Sequence, residues 1–160
     1  MKTYVLTLSK AFPATHPRHG EPTEFLEKFL NGQTGTGESR KLHTIRANYP
    51  LWEKRIRDVK LGKAVLSIRQ WSGRPYCSKQ VEIAKLTAAN VVGIQKLFIN
   101  NYYGNDRYTV TDDKQVMGYD VALAELAKND GLSLEDWLAW FKGYPRSQPL
   151  AIIHFTFFRY

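Results

Sequence analysis

Short β-type segments, separated by turns, limit the fold more tightly than any other property of this sequence. Segments rich in β-branched and aromatic residues predict strands at residues 3–8, 63–71, 79–86, 92–99 and 150–158. A weaker hairpin pattern covers residues 107–117, around Asp112 and Asp113. Five or six short strands of this kind fit a small mixed β-barrel.

Short amphipathic helices are predicted between the strands. They span residues 24–31, 51–60, 119–129 and 134–142. Asn31-Gly32 and Gly131 are expected to end the first and third helices, and Ser133 is expected to cap the fourth. The chain has 160 residues and shows no internal repeat or linker, so one core can serve all of it. We therefore predict a single α+β domain over residues 1–160, with the short helices packed at the barrel ends.

Several classes of protein are excluded by composition. No stretch approaches the roughly 18 continuous apolar residues of a membrane helix, and the apolar run near the N-terminus is too short for a secretory signal. The single cysteine, Cys77, allows no internal disulfide and fits a reducing cytoplasm, which is the expected location. No phosphate-binding loop or dinucleotide fingerprint is present.

The positive charge is concentrated in one part of the chain. Residues 40–85 carry 12 Lys and Arg against 3 acidic residues, whereas the formal net charge of the whole chain is +8. A localised basic field attracts polyanions to one face, so it indicates a phosphate-bearing partner. A solvated basic surface without a partner is the alternative.

Residues 40–46 (R-K-L-H-T-I-R) form the first candidate site, beside the flexible glycine loop at residues 33–39. Lys41, His43, Thr44 and Arg46 place four functional side chains within six residues. A lysine can activate a threonine hydroxyl only if burial or a neighbouring cation lowers its pKa, and Arg46 could supply that cation. Lys41 and Thr44 would face opposite sides of a regular strand, so a bend between them is expected. The alternative is a basic strand edge in which Thr44 only favours β-structure.

The segment R-K-L-H-T-I-R resembles the signature G-x-K-x-x-T-I-R of the ASCH domains, a branch of the PUA-like β-barrel superfamily. A short helix precedes it, and a glycine-marked strand start, Gly62 to Ile68, follows it. The closing segments D-G-L-S, E-D-W-L-A-W-F and A-I-I-H-F resemble the end of small bacterial ASCH proteins that hydrolyse N4-acetylcytidine. The resemblance covers about residues 22–160 in order.

The resemblance implies a PUA-like barrel and three catalytic residues. Thr44 corresponds to the nucleophile, Lys41 to its activator and Asp130 to the acid/base partner. Arg46 corresponds to the signature arginine and is expected to hold a substrate carbonyl or phosphate. The characterised hydrolases have a glutamate where this chain has Asp130.

A second candidate site lies in the turn Q-W-S-G-R-P-Y-C-S-K-Q, residues 70–80. Cationic and aromatic side chains alternate there: Arg69, Trp71, Arg74, Tyr76 and Lys79. Rings and guanidinium groups stack on bases while cations meet phosphates, so this turn is predicted to contact nucleotides at the rim of the cleft, as is His43 beside Lys41. The alternative is a hairpin whose aromatic rings pack across the strands.

Other chemically distinctive residues have simpler interpretations. His16 and His19 have metal-like spacing, but an intervening proline and the lack of a nearby acidic cluster argue against a metal. His154 is expected to be a hydrogen-bonded core residue, and Cys77 an inert thiol. The aromatic residues expected in the helix core are Trp137, Trp140 and Phe141.

The leading hypothesis is an ASCH-domain protein that binds RNA or a modified nucleoside in a basic cleft and, by resemblance, hydrolyses an N-acyl cytidine amide. The alternative is a non-catalytic protein-interaction module whose basic face meets an acidic protein. Neither hypothesis requires a cofactor, a metal or a membrane.

Overall fold

A computed structural model of the chain describes residues 1–112 and 118–160, and these ranges form an α+β structure. The strands are β1 (Lys2–Thr7), β2 (His43–Arg46), β3 (Ala64–Trp71), β4 (Gln80–Leu86), β5 (Gly93–Tyr102), β6 (Asn105–Thr111), β7 (Tyr119–Asp120) and β8 (Leu150–His154). The helices are α1 (Phe25–Thr34), α2 (Tyr49–Lys60), α3 (Leu123–Asn129) and α4 (Leu134–Phe141). The predicted α+β class is confirmed.

The strands form two sheets. One contains three strands in the order β1-β3-β4, and the other contains five in the order β2-β8-β5-β6-β7. Strands β1 and β3 are parallel, whereas the other paired strands are antiparallel. Within residues 1–112 and 118–160 these sheets are not joined into a closed barrel.

Strand β8 runs through the middle of the core. It lies between β2 and β5, and all five of its residues are buried. A strand with neighbours on both edges and packed side chains on both faces needs apolar residues throughout, which explains the run Leu150–Ile153. Helix α2 packs against β3, β5 and β8 and buries Trp52, Ile56 and Val59 in the process.

Two predicted helix boundaries are wrong. Helix α1 continues past Asn31-Gly32 to Thr34 and ends at Gly35, whose φ of +71° is the left-handed conformation that glycine adopts at low cost. Helix α3 begins at Leu123 rather than residue 119, because Tyr119 and Asp120 pair with β6 as strand β7.

The predicted strand boundaries are wrong at two places, because β8 ends at His154 rather than at residue 158 and β5 continues to Tyr102. The end of α3 and the start of α4 agree with the prediction. The Ser133 hydroxyl accepts a hydrogen bond from the Asp136 backbone N–H (3.1 Å) and caps α4, and Gly131 follows α3 with a φ of +79°. Of the predicted hairpin at 107–117, the structure describes β6 up to Thr111 and residue 112, and residues 113–117 lie outside the described ranges. None of the described helices is long and apolar enough to cross a membrane.

Candidate active site

Backbone pairing brings the segment before β2 against the end of α3. Lys41 and Asp130 form an isolated antiparallel bridge, and the Leu42 N–H donates to the carbonyl of Asn129 (2.7 Å). The Lys41 N–H donates to the carbonyl of Lys28 in α1 (2.9 Å). Residues separated by almost ninety positions in the sequence are therefore fixed side by side by main-chain hydrogen bonds.

Lys41 and Asp130 form a buried ion pair. Lys41 Nζ lies 2.7 Å from Asp130 Oδ1 and 2.7 Å from the Asp130 carbonyl oxygen. The same Nζ lies 4.1 Å from the centre of the Phe25 ring, close enough for a cation–π contact. Each of the three ammonium protons therefore has an acceptor. Only 2% of the Lys41 side chain and 3% of the Asp130 side chain are exposed.

Burial makes the charged form less favourable for both residues of this pair. Desolvation lowers the pKa of Lys41, and the nearby Arg46 and Lys28 cations add to this effect, whereas Asp130 opposes it. Desolvation likewise raises the pKa of Asp130, against the attraction of Lys41. Both shifts reduce the free energy needed to move a proton from the ammonium to the carboxylate.

Both groups line a cavity of about 300 Å³. Its walls come from the segment after β1, from α1, from β2 and from the region of α4. The lining residues are Leu8, Ser9, Pro13, Thr15, Phe25, Lys41, Thr44, Ile45, Arg46, Asp130, Leu132, Trp140, Phe141 and Tyr144. The three residues of the predicted catalytic set thus border one hollow, in which cationic and aromatic side chains face each other.

Thr44 reaches this cavity because Lys41 lies outside strand β2. The strand begins only at His43, so Leu42 separates the bridge residue Lys41 from the regular alternation of β2. Thr44 is 5% exposed, and its hydroxyl makes no hydrogen bond to any residue in the two described ranges. The Thr44 hydroxyl and the Lys41 amine border the same cavity but are not hydrogen-bonded to each other, whereas nucleophilic catalysis needs the base within hydrogen-bond reach of the nucleophile.

Arg46, also on β2, is half-buried at the cavity wall. Its Nη2 donates to the carbonyl of Thr7 (2.5 Å), which fixes the guanidinium against the end of β1. Burial lowers the pKa of Arg46, but an arginine stays charged in proteins. The guanidinium has further N–H groups that can bind a carbonyl oxygen or a phosphate.

His43 does not line the cavity, although it was predicted to bind substrate. Its side chain is completely buried behind the ion pair, with Nδ1 3.8 Å from Asp130 Oδ1 and Nε2 2.6 Å from the Tyr160 hydroxyl. The residue points away from the hollow because Thr44, its neighbour in β2, faces it. From this position His43 can act on Asp130 but cannot touch a ligand in the cavity.

The predicted nucleotide-binding turn is also outside the cavity. None of the five residues Arg69, Trp71, Arg74, Tyr76 and Lys79 lines it. Arg69 lies in β3, where its Nε donates to the hydroxyl of Ser67 (2.9 Å). Arg74 and Lys79 are exposed in the β3–β4 connection.

The aromatic pair of this turn forms a small exposed surface. The rings of Trp71 and Tyr76 lie 5.2 Å apart, and Tyr76 is 89% exposed. Hydrogen bonds nevertheless connect the turn to the segment that lines the cavity. The Leu8 N–H donates to the Arg69 carbonyl (2.8 Å), and Lys10 Nζ donates to the Ser72 carbonyl (3.1 Å), while Leu8 itself lines the cavity.

Several residues of the site were missed from the sequence. Phe25 and Tyr144 line the cavity, and Asn129 and Tyr160 support His43 from behind. The partial burial of Trp140 in the cavity wall was also missed, since its helical spacing indicated only a core position. No local pattern marks these residues, because tertiary packing alone brings them to the site.

The remaining distinctive residues have structural partners. His16 Nδ1 accepts from the Arg18 backbone N–H (3.0 Å) while Nε2 lies 3.0 Å from the Asp136 carbonyl, so both ring nitrogens are used. His154 is buried and bonds Gln95 Oε1 (2.8 Å), as predicted for a core histidine. Trp137 and Phe141 are buried in the core, as predicted, and Cys77 is exposed.

Comparisons with protein-family models, with curated proteins and with solved structures find no match to this chain. The chemistry of the cavity therefore has to be inferred from its own residues. Among the described residues, no group of three or more His, Cys, Asp or Glu side chains is arranged to hold a metal ion.

Proposed function

We propose that this protein is an ASCH-type hydrolase of the PUA-like superfamily that cleaves the N-acyl amide of a modified cytidine. One observation carries the proposal: the buried Lys41–Asp130 pair and the unpaired Thr44 hydroxyl border the same cavity. The signature-like segment around Lys41 and Thr44 supports the family. We further propose that the two sheets form the two halves of the PUA-like barrel.

The first step generates the base. A proton moves from Lys41 Nζ to Asp130 Oδ1 across the 2.7 Å contact, and the shifted pKa values of both groups favour this transfer. The resulting amine has a lone pair, which the ammonium lacks. It can accept the Thr44 proton as the hydroxyl oxygen attacks the amide carbon.

The second step breaks the amide. Lys41 returns the proton to the leaving nitrogen, the C–N bond breaks, and the acyl group remains on Thr44 as an ester. Arg46 stabilises the negative charge that develops on the carbonyl oxygen. Water then cleaves the ester. This step releases a carboxylic acid and restores the threonine hydroxyl.

The cavity suits a single modified nucleoside. Its volume of about 300 Å³ lies at the lower end of ligand-binding pockets. Phe25, Trp140 and Tyr144 provide aromatic surface for a pyrimidine ring, and Arg46 provides a hydrogen-bond donor. A nucleotide within an RNA chain would place its neighbours outside the cavity, where the exposed rings of Trp71 and Tyr76 offer a surface for stacking.

The proposal is tested by incubating the purified protein with N4-acetylcytidine and measuring cytidine release by chromatography. Wild type is expected to release cytidine, and Lys41→Met and Thr44→Val are each expected to lower kcat by at least about a hundredfold. Lys85→Met and Thr3→Val remove the same groups from exposed strand positions and serve as matched controls. Unchanged turnover in Thr44→Val would exclude the nucleophile, and no turnover with any N-acyl cytidine would favour the protein-interaction alternative.

A further inference from the structure

A buried hydrogen-bonded chain lies directly behind Asp130. His43 Nε2 is 2.6 Å from the Tyr160 hydroxyl, and Asn129 Nδ2 donates to the same hydroxyl oxygen (3.2 Å). The other nitrogen of His43, Nδ1, makes no hydrogen bond to any of the residues that the structure describes. That atom is fully buried and faces Asp130 Oδ1 at 3.8 Å. A native fold rarely leaves a buried polar atom unpaired, so this one calls for an explanation.

The hydrogen bonds of the Tyr160 hydroxyl favour one tautomer of His43. Because the Tyr160 oxygen accepts from Asn129, its own proton is available for His43 Nε2. Burial, together with the nearby His154 and Lys41, lowers the pKa of His43 well below its usual value, so the ring is neutral and has one proton. That proton is then on Nδ1, which points toward Asp130.

We propose that His43 is a positioning residue that presents its Nδ1 proton to Asp130 and, with Tyr160 and Asn129 behind it, holds this carboxylate against Lys41. This inference rests on the role proposed above for Asp130. At 3.8 Å the Nδ1–H is too far from Oδ1 for a hydrogen bond and acts on it through its dipole, in the position in which Oδ1 accepts from Lys41 Nζ at 2.7 Å. The imidazole thus keeps Asp130 oriented toward Lys41 while the proton passes between them.

The tautomer of His43 can be measured by comparison with that of the neighbouring His154, for which the opposite tautomer is expected. His154 lies opposite His43 in the β2–β8 register, but its Nε2 bonds Gln95 Oε1 (2.8 Å), an acceptor that also binds the Tyr160 N–H (3.0 Å). His154 is therefore expected to carry its proton on Nε2 and His43 on Nδ1. Nitrogen-15 NMR of the wild-type side chains distinguishes these tautomers, with His43→Gln used to assign the signals. An Nε2-protonated His43 would overturn the proposal.

Two substitutions of His43 separate its two contacts. His43→Asn keeps an amide donor near the Nδ1 position, whereas His43→Gln keeps a polar group near Nε2 and loses the donor to Asp130. Carbon-13 NMR titration of the Asp130 carboxyl is expected to show a pKa higher by about half a unit to one unit in His43→Gln, because a donor to the charged form has been lost. His43→Asn is expected to stay closer to wild type.

The charged and titratable groups around this carboxyl are Lys41, Arg46, His43 and, beyond His43, His154 and Tyr160. His154→Gln is the matched control, because it removes an equally buried imidazole that has no contact with Asp130. Equal pKa shifts in His43→Gln and His154→Gln, or no shift in His43→Gln, would contradict the positioning role. If the substituted proteins fail to fold, the wild-type imidazole signals are assigned by through-bond correlation to the backbone, and the tautomer of His43 decides the question.

These measurements separate the positioning role from the proposed hydrolysis. Predicted tautomers and Asp130 titration without any release of cytidine would leave His43 as a positioning residue and refute the amidohydrolase. Cytidine release by a protein whose His43 is protonated on Nε2 would support the hydrolase and refute the positioning role. In an active protein, His43→Gln is expected to move the acid limb of the plot of kcat against pH to higher pH. A simple loss of stability would not do this.

Discussion

At the scale of single residues, Lys41 is a cation that has almost left solvent. Its ammonium group is compensated by a carboxylate, a backbone carbonyl and the face of the Phe25 ring. Burying an ion pair costs desolvation free energy that its mutual attraction only partly repays. Apolar side chains could fill a purely structural role as well, which is consistent with the chemical role that we propose for the pair.

Breaking this pair is expected to cost more than removing it. Lys41→Met leaves the Asp130 carboxylate buried without a partner and should lower the free energy of unfolding by about 3–5 kcal/mol. The double variant Lys41→Met/Asp130→Asn removes both charges and should be more stable than Lys41→Met alone. Urea unfolding of wild type, both single variants and the double variant gives the coupling energy. Strictly additive effects would contradict a tightly coupled pair.

The sequence predicts a site residue only when neighbouring residues in the chain mark it. Lys41 and Thr44 stand out within one short segment, and the resemblance links Asp130 to them. The support from Tyr160 and Asn129 depends on how the final segment packs against β2, which no spacing in the sequence encodes. The same limit explains why His43, a polar residue between Lys41 and Thr44, was predicted to face substrate.

At the scale of elements, the β2–β8 pair buries two histidines next to each other. His43 and His154 are opposite in register, with ring centres 5.5 Å apart. Desolvation lowers the pKa of His154 from 6.5 to about 3, and Arg159 and Lys60 add to the effect. Both imidazoles are therefore neutral in the folded chain at neutral pH. Acid, which favours protonated histidine, is expected to destabilise the pairing of these strands.

The neutral imidazole of His154 predicts a loss of stability in acid. Between the folded pKa of about 3 and the unfolded value of 6.5, the unfolded chain binds a proton on His154 that the folded chain does not. The His154 contribution is therefore fully present above pH 6.5 and falls by about 1.4 kcal/mol per pH unit below it.

The measurement is urea unfolding of wild type and His154→Gln from pH 4 to 8, since their difference cancels the opposite trend from the raised pKa of Asp130. A difference that does not change with pH would contradict a buried neutral His154.

The connection between α3 and α4 positions Asp130 through a glycine. Gly131 has a φ of +79°, and a Cβ at this position would lie 3.3 Å from Lys41 Cβ. Gly131→Ala is expected to destabilise the fold by about 1–2 kcal/mol and to lower cytidine release by displacing Asp130. Gly143→Ala is the control, because no atom of residues 1–112 or 118–160 lies within 4 Å of its added Cβ. Thermal unfolding and turnover are compared, and equal effects of both substitutions would contradict this role of Gly131.

Elements with strong local signals were predicted well, and those decided by tertiary contacts were not. The Ser133 cap fixes the start of α4 in the sequence itself. By contrast, Gly32 stays inside α1. A Cβ added at this position would lie only 2.9 Å from the Lys41 carbonyl oxygen, so glycine leaves room for that close approach. Tyr119 and Asp120 leave the helical pattern because the edge of β6 is available to pair with them.

At the scale of the whole molecule, the excess positive charge belongs to the segment that contains β2, α2, β3 and β4. The β3–β4 connection presents part of this charge, through Arg74 and Lys79, beside the exposed Tyr76 ring. A protein that acts on nucleosides within RNA would use such a surface to hold the flanking phosphates.

This arrangement predicts salt-dependent binding of single-stranded RNA. Affinity should fall linearly in a plot of log K against log salt concentration, and Arg74→Ala/Lys79→Ala should reduce the slope by about 1.4, since each phosphate contact contributes about 0.7 for single strands. Lys128→Ala/Lys142→Ala makes the same change in net charge at exposed positions outside this segment. Fluorescence anisotropy with a labelled oligonucleotide measures both. Equal slopes for the two double variants would contradict a role for the β3–β4 connection.

The proposed mechanism is tested most directly by finding the acyl group on the protein. Mixing the protein with excess N4-acetylcytidine, quenching with acid and mapping peptides by mass spectrometry should reveal one acetyl group on Thr44, absent from Thr44→Val. Cytidine release accompanied by an acetyl group on another residue, or release that persists at the wild-type rate in Thr44→Val, would contradict the proposal that the Lys41–Asp130 pair activates Thr44.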